Sequence, residues 1–258
     1  MNLEKIWEQL KQSWEIDPVI DDIPDILTAR NKEGDTLLHL AMYDEEFDFA
    51  KMLIERGTYP IIYNEDMVTA YLLVVRIDNA ELLKLLIARY PNSLSTFEQS
   101  ELLATAAANG QYGQLKLMLE AGFNVNESYR GSSLAEWALQ ARRLDIIELI
   151  HAHGAPMDQP SDGVETTPLN QAVGEGLVDI AKYLILTGAD INHQTESGTT
   201  PLTMACAWEQ AEIVALLLEN NVDITHKKKD GKTALDFAEE TGNIEIINML
   251  KKSLNSCV

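Results

Sequence analysis

A segment of about 33 residues recurs along the chain, and this recurrence restricts the folds that the chain can form. The clearest copy opens with Thr167-Pro168-Leu169, in which the threonine hydroxyl can cap a helix and the proline suits the first helical position. An apolar-periodic segment follows. Gly176 and Gly188 fall where two successive helices should end, because glycine adopts the left-handed conformation at little cost. The segment therefore predicts a helix-turn-helix unit.

The capping position and the second terminating glycine both repeat at this interval. The capping positions are Thr36, Thr69, Glu101, Ser133, Thr167, Thr200 and Thr233. The terminators are Gly57, Gly122, Gly154 and Gly188, with Asn221 in the same role. One helix pair cannot bury both of its faces, whereas stacked pairs form a continuous core. The repeat therefore predicts a solenoid of helix pairs.

The motif resembles the ankyrin repeat family. The residues that carry the resemblance are Gly34-Asp35-Thr36-Leu37-Leu38-His39-Leu40-Ala41, Gly198-Thr199-Thr200-Pro201-Leu202-Thr203-Met204-Ala205 and Gly231-Lys232-Thr233-Ala234-Leu235-Asp236-Phe237-Ala238. The resemblance implies an all-α ankyrin-repeat solenoid with atypical N- and C-terminal caps. We expect an array over 31–254, preceded by a helical cap at 1–30 and followed by a tail at 255–258. Its seven units are predicted at about 31–63, 64–97, 98–127, 128–160, 161–194, 195–227 and 228–254.

The second predicted unit departs most from the motif. Tyr71 replaces the core leucine, and Tyr90-Pro91-Asn92-Ser93 replaces the glycine turn. The N-terminal segment lacks the motif, but its apolar residues follow helical spacing. These residues are Leu3, Ile6, Trp7, Leu10 and Trp14. Asp17-Pro18 should end this helix, and a second short helix is expected before Asn31. A terminal cap is the favoured interpretation, with a partner-binding amphipathic helix as the alternative.

Charge restricts the class of partner. The chain has 41 acidic and 20 basic residues, for a net charge of −21. Such a charge repels nucleic acid and anionic lipid and speeds encounter with basic proteins, although solubility alone would also explain it. No apolar run is long enough to span a membrane, and the first residues lack a signal peptide pattern. The two cysteines, Cys206 and Cys257, do not suggest a disulfide scaffold, so we expect a cytoplasmic protein.

The chain offers no convincing catalytic, cofactor or metal site. His151 and His153 do not share a helix face. His39 matches the histidine of the repeat motif, where the resemblance implies a structural hydrogen bond. Gly174-Glu175-Gly176 lacks the lysine of a phosphate loop, and Cys206 falls at a small core position of the motif. We therefore predict a protein that is not an enzyme and that needs no cofactor or metal.

The resemblance implies that a protein partner binds along the concave side, at the turn tips and the exposed flank of the first helices. Transferred residue by residue, the turn-tip set is Glu33, Asp35, Glu65, Asp66, Tyr129, Arg130 and Glu196. The first-helix set is Tyr43, Asp44, Arg76, Glu175 and Trp208. Trp208 is either an interface hot spot or a packing residue, and Trp137 is expected in the core.

These observations favour a protein-binding module that is a monomer on its own. The preferred hypothesis is an acidic inhibitor, or an immunity-type protein, that captures a basic protein on its concave face. The alternative is an adaptor or effector scaffold that recruits its partner without inhibiting it. The sequence does not decide between them, because both would use the same surface.

Overall fold

The computed structural model describes residues 3–13, 23, 25–158 and 166–256. This part of the chain is helical and contains no strand, which confirms the all-α prediction. Its helices are α1 (Leu3–Ser13), α2 (Leu37–Tyr43), α3 (Phe47–Glu55), α4 (Ala70–Arg76), α5 (Ala80–Arg89), α6 (Thr96–Ala108), α7 (Tyr112–Glu120), α8 (Leu134–Leu139), α9 (Leu144–Ala152), α10 (Pro168–Gly174), α11 (Val178–Leu186), α12 (Pro201–Ala207), α13 (Ala211–Glu219), α14 (Ala234–Thr241) and α15 (Ile244–Ser256). The predictions on Trp14, the break at Asp17-Pro18, most of the second N-terminal helix, Cys257 and the last residue of the tail lie outside the described residues.

The chain forms two compact units. The first comprises Met1–Ala106 and Gln111–Asn124, and the second comprises Ala107–Gly110 and Val125–Val258. Within the first unit, α2 packs on α4 and α3 packs on α5. Within the second, the first helices α8, α10, α12 and α14 pack side by side, and so do the second helices α9, α11, α13 and α15. Each unit is therefore a stack of helix pairs, as expected of a solenoid.

The predicted caps form at most of the repeated positions. The side chains of Thr69, Ser133, Thr167, Thr200 and Thr233 each accept a hydrogen bond from a backbone N–H three residues later. Glu101 is an exception.

Glu101 lies inside α6, and the prediction that it caps a helix is wrong. Ser95 and Glu98 form the cap instead. The Ser95 N–H donates to Glu98 Oε2 over 2.7 Å, and the Glu98 N–H donates to Ser95 Oγ over 3.3 Å. This Ser-x-x-Glu arrangement is a capping box, so the helix begins earlier than the repeat spacing suggested.

The turn after each first helix contains one left-handed residue in all seven helix pairs of the described chain. These residues are Glu45, Asp78, Gly110, Arg142, Gly176, Glu209 and Gly242. A side chain in this conformation costs about 1–2 kcal/mol relative to glycine. The surrounding pair therefore imposes the turn even where the sequence does not supply a glycine.

Helix α1 packs on α2 through its apolar face. Leu3, Trp7 and Leu10 are buried, and the Trp7 ring lies edge-on to Phe49 at 5.2 Å between ring centroids. The Trp7 indole N–H donates to Asp44 Oδ2 over 2.8 Å. Trp7 is therefore engaged within its own unit. This arrangement agrees with a terminal cap, although the cap boundary at residue 30 stays a prediction.

His39 links the first helix pair to the second. Its Nδ1 accepts from the Thr36 N–H over 3.2 Å, which leaves Nε2 to donate to the Val68 carbonyl oxygen over 3.1 Å. This pattern needs the neutral ring, because a second proton on Nδ1 would remove the acceptor. Burial lowers the pKa of His39 below its ordinary value.

We expect protonation of His39 to destabilise the fold in mild acid. The folded pKa lies below that of the unfolded chain, so stability is complete above about pH 6.5 and falls as the pH drops below it. The matched variant is His39→Asn, because Asn170 forms the same capping box. The free energy of unfolding in urea should fall more between about pH 7.5 and about pH 5.5 for the native protein than for the variant. Equal losses would contradict this assignment.

Candidate functional site

A row of partly exposed side chains crosses the first helices of the second unit. It consists of the residue four positions after each helix cap: Trp137, Gln171, Met204 and Phe237. Because α8, α10, α12 and α14 lie side by side, these residues form one row, which we name the first-helix row. Residues four further along a helix share the same face. Glu175 and Trp208, at that spacing from Gln171 and Met204, extend the face with a carboxylate and an indole.

A groove lies beside Trp208. Six of the residues that line it are Glu136, Asn170, Gly174, Glu175, Met204 and Trp208. Trp208 has 66% of its surface exposed, whereas a tryptophan folded onto its neighbour's helix would be largely covered. Its role as an interface hot spot stays a prediction. Exposed aromatic side chains with a charged surround are typical of interface hot spots.

Glu175 lies at the edge of the groove and is only partly neutralised. Gln171 Nε2 donates to Glu175 Oε1 over 3.0 Å. Arg142 Nη2 donates to the backbone oxygen of Glu175 over 3.1 Å, while its Nε lies 3.7 Å from Glu175 Oε2. The side chains of Arg142 and Glu175 are 59% and 36% exposed, so solvent screens the pair. The Glu175 carboxylate therefore remains accessible to a further cation.

The twelve residues predicted to bind a partner divide between the two units. The first unit contains Glu33, Asp35, Tyr43, Asp44, Glu65, Asp66 and Arg76, and the second contains Tyr129, Arg130, Glu175, Glu196 and Trp208. Ten of them have exposed side chains. The other two, Asp35 and Tyr129, are each 7% exposed, so their side chains offer no contact surface and we remove them from the candidate surface.

Two exposed members of the first unit are engaged in bonds to neighbouring residues. Asp44 Oδ2 also accepts from Lys11 Nζ over 2.9 Å, and Lys11 with Trp7 lowers the pKa of the carboxyl. The Tyr43 hydroxyl accepts from Asn64 Nδ2 over 3.0 Å. Asp44 therefore bonds to α1, and a partner that binds Asp44 would also contact that helix.

Trp137 was expected in the core and is half-buried instead. Its indole N–H donates to the Tyr129 carbonyl oxygen over 3.1 Å, and the two rings lie 5.8 Å apart. Trp137 is only half-buried because it lies four residues after the cap of α8, at the position that forms the first-helix row. The residues four positions after the other caps would have identified this row from the sequence alone.

His151, His153 and Cys206 are engaged within the fold. His151 Nδ1 lies 2.8 Å from the Tyr183 hydroxyl, whereas His153 Nδ1 lies 2.9 Å from the Leu149 carbonyl oxygen. Cys206 is buried, and burial raises the pKa of its thiol to about 12. Across the described ranges, no three histidine, cysteine or carboxylate residues come together as a metal site.

Three of the first helices, α10, α12 and α14, overlap a region that matches a known family profile. Residues 169–257 match the profile described as ankyrin repeats, in 3 copies. This part of the chain is an ankyrin-repeat segment. The described residues contain seven helix pairs, but the profile covers only the last three, so the count of seven ankyrin repeats stays a prediction.

The curated relatives that this chain matches are much longer than the chain. Human palmitoyltransferase ZDHHC13 is 30% identical over 89 residues, which cover 34% of this chain and 14% of that protein. The ankyrin repeat and KH domain-containing protein mask-1 of Caenorhabditis elegans is 28% identical over 167 residues, which cover 61% of this chain and 6% of that protein. The similarity therefore extends to a small part of each relative, and the activity in their names does not transfer with it.

Ankyrin repeats are protein-interaction modules, so residues 169–257 form a protein-binding module. Among the helices that the structure describes, none is both long and apolar enough to span a membrane. The absence of catalytic activity, by contrast, stays a prediction.

Proposed function

We propose that the first-helix row of the second unit, with Glu175 and Trp208, binds a basic protein and inhibits it. The observation that carries the proposal is the indole of Trp208, which is 66% exposed beside the Glu175 carboxylate. The net charge of −21 supports a basic partner, because opposite charges speed association and disfavour wrong partners. Action in the cytoplasm is part of the proposal. An adaptor that leaves its partner active is the alternative.

Capture with the tagged full chain from its native lysate tests the proposal, and Trp208→Ala is the decisive variant. Its matched control is Leu186→Ala, since Leu186 is 70% exposed but lies on the second helix α11. We expect Trp208→Ala to weaken retention of the partner by about 2 kcal/mol, or about 30-fold. The control should retain the partner as the native chain does. Equal retention by both variants would contradict the proposed surface.

Salt and activity measurements test the finer statements. A basic partner should dissociate more readily as ionic strength rises, because the charges on both surfaces are then screened. An inhibitor should abolish the partner's activity in a saturating complex. Retention of a neutral or acidic partner would overturn the charge argument, and a fully active partner in the complex would decide for the adaptor.

A further inference from the structure

The groove beside Trp208 has an open floor. Gly174 supplies no side chain there, and a Cβ atom at this position would lie 3.4 Å from Met204 Sδ, in ordinary contact. Glycine therefore leaves Met204 Sδ uncovered at the end of α10, in the same groove as the exposed Trp208 indole. A flat or extended group could lie against the indole without moving another side chain.

A buried donor at this groove has no partner among the described residues. Asn170 is fully buried, and its Oδ1 accepts from Thr167 Oγ1 over 2.7 Å. This assignment leaves Nδ2, which forms no hydrogen bond within the part of the chain that the structure describes. The corresponding residues have no such spare donor: His39 Nε2 bonds to the Val68 carbonyl oxygen, and the Thr203 hydroxyl donates to the Thr200 carbonyl oxygen. Buried donors are nearly always paired, so an acceptor at this point of the groove would satisfy Asn170 Nδ2.

The charges around the groove favour a cation. Glu136 and Glu175 line it, and Glu209 follows Trp208 in the chain. Glu136 is occupied, because its Oε2 accepts from the Ser133 N–H over 2.8 Å. Glu175 has only the 3.7 Å approach of Arg142 as a cationic partner among the described residues. A carboxylate next to an exposed indole suits a planar guanidinium, which stacks on the ring and bonds to the carboxylate in the same orientation.

We propose that this groove is a subsite for one arginine of an extended segment of the protein partner. The guanidinium lies on the Trp208 indole and donates to the Glu175 carboxylate, while a backbone carbonyl oxygen of the segment accepts from Asn170 Nδ2. The inference rests on the proposed function, since it names the chemistry of the partner at that same surface. Arginine is favoured over lysine because an ammonium group does not stack as a plane.

Short glycine–serine peptides with one central residue test the subsite. The central residue is arginine, lysine or the uncharged isostere citrulline, and the full chain is labelled with ¹⁵N for NMR titration. We expect the arginine peptide to shift the Trp208 indole N–H and the Asn170 side-chain amide, with affinity in the order arginine, lysine, citrulline. Trp208→Ala should weaken the arginine peptide about tenfold. Equal affinity for arginine and citrulline would overturn the subsite.

Three further variants separate the contacts. Glu175→Gln should reduce the preference for arginine over citrulline, whereas Glu219→Gln on the second helix α13 should not. Asn170→Thr removes the spare donor and keeps a helix cap, as Thr203 shows, so it should weaken all three peptides to a similar degree. No change in Asn170→Thr would overturn the contact with the backbone carbonyl.

The subsite and the proposed function fail separately. If arginine and citrulline peptides bind equally while Trp208→Ala still releases the captured protein, the subsite is overturned and the proposed function stands. If the arginine peptide binds as expected but Trp208→Ala and Leu186→Ala retain the protein equally, the subsite stands and the proposed function is overturned.

Discussion

Tyr71→Ala should lower the free energy of unfolding by about 3–5 kcal/mol, the largest loss that we expect from a single change in the first unit. Tyr71 is 1% exposed and is the bulkiest of the fully buried side chains among the described residues. Its hydroxyl donates to the Leu86 carbonyl oxygen over 3.0 Å and lies 3.3 Å from the Tyr90 carbonyl oxygen. Both carbonyls lie at the end of α5, so Tyr71 fills the core and also closes the helix that follows it.

The Tyr71 hydroxyl can be tested separately from the ring. Tyr71→Phe keeps the packing and should lose about 1 kcal/mol, the usual net value of a hydrogen bond. Tyr71→Leu restores the residue type found at Leu38 and Leu169, but we expect it to be less stable than the native protein because the turn after α5 depends on the hydroxyl. Tyr59→Ala is the control, since Tyr59 is 51% exposed and should change stability by less than about 0.5 kcal/mol.

Urea unfolding followed by far-UV circular dichroism measures all four variants. The order of stability should be Tyr59→Ala, Tyr71→Phe, Tyr71→Leu and Tyr71→Ala, from most to least stable. If Tyr71→Leu matches the native protein, the hydroxyl does not contribute to the turn. The interpretation of Tyr71 as a compensating residue would then be wrong.

The example of Tyr71 shows why the least regular pair was hard to interpret from the sequence. Tyr71 and the segment Tyr90-Pro91-Asn92-Ser93 were two separate departures from the motif. The structure joins them, because the tyrosine hydroxyl lies among Leu86, Tyr90 and Ser93. Contacts between residues about 20 positions apart depend on helix packing, which periodicity alone does not reveal.

Local signals, in contrast, were sufficient for most of the helices. Caps such as Thr167 and Thr200 act through bonds to residues three positions away, so a short motif identifies them. The prediction at Glu101 was wrong because it relied on the repeat spacing. The cap is formed by Ser95 and Glu98, which are three positions apart. Short-range chemistry was more reliable there than the period.

The candidate site was only partly predictable. Glu175 and Trp208 follow from the position of the motif, and both are exposed. The burial of Asp35 and Tyr129 could not be inferred from the motif. Asn64 of the next tip donates to Asp35, and the guanidinium of Arg130, in the same tip as Tyr129, lies over the Tyr129 ring. The spare donor of Asn170 likewise depends on which of its two amide atoms the cap uses, which becomes visible only with coordinates.

Gly198→Ala should destabilise the second unit far more than Gly231→Ala, although both glycines occupy the same place in neighbouring tips. Their φ angles are +77° and +86°, so alanine is strained by about 1 kcal/mol at either position. A Cβ atom at Gly198 would lie 3.2 Å from Lys228 Cα and from Lys229 N, whereas Gly231 has no neighbour within 4 Å. Backbone atoms cannot move aside as a flexible side chain can. Overpacking of this kind therefore adds a cost of about 1–3 kcal/mol.

The difference between the two variants isolates the contact between successive tips, because the conformational strain cancels. We expect losses of about 2–4 kcal/mol for Gly198→Ala and about 1 kcal/mol for Gly231→Ala in urea unfolding at neutral pH. The reason lies in the stacking: Lys229 N donates to the Ser197 carbonyl oxygen over 3.3 Å, and His226 Nε2 lies 2.9 Å from the Gly198 carbonyl oxygen. Equal losses in the free energy of unfolding would mean that successive tips separate easily. The contacts between helices alone would then hold the first-helix row in place.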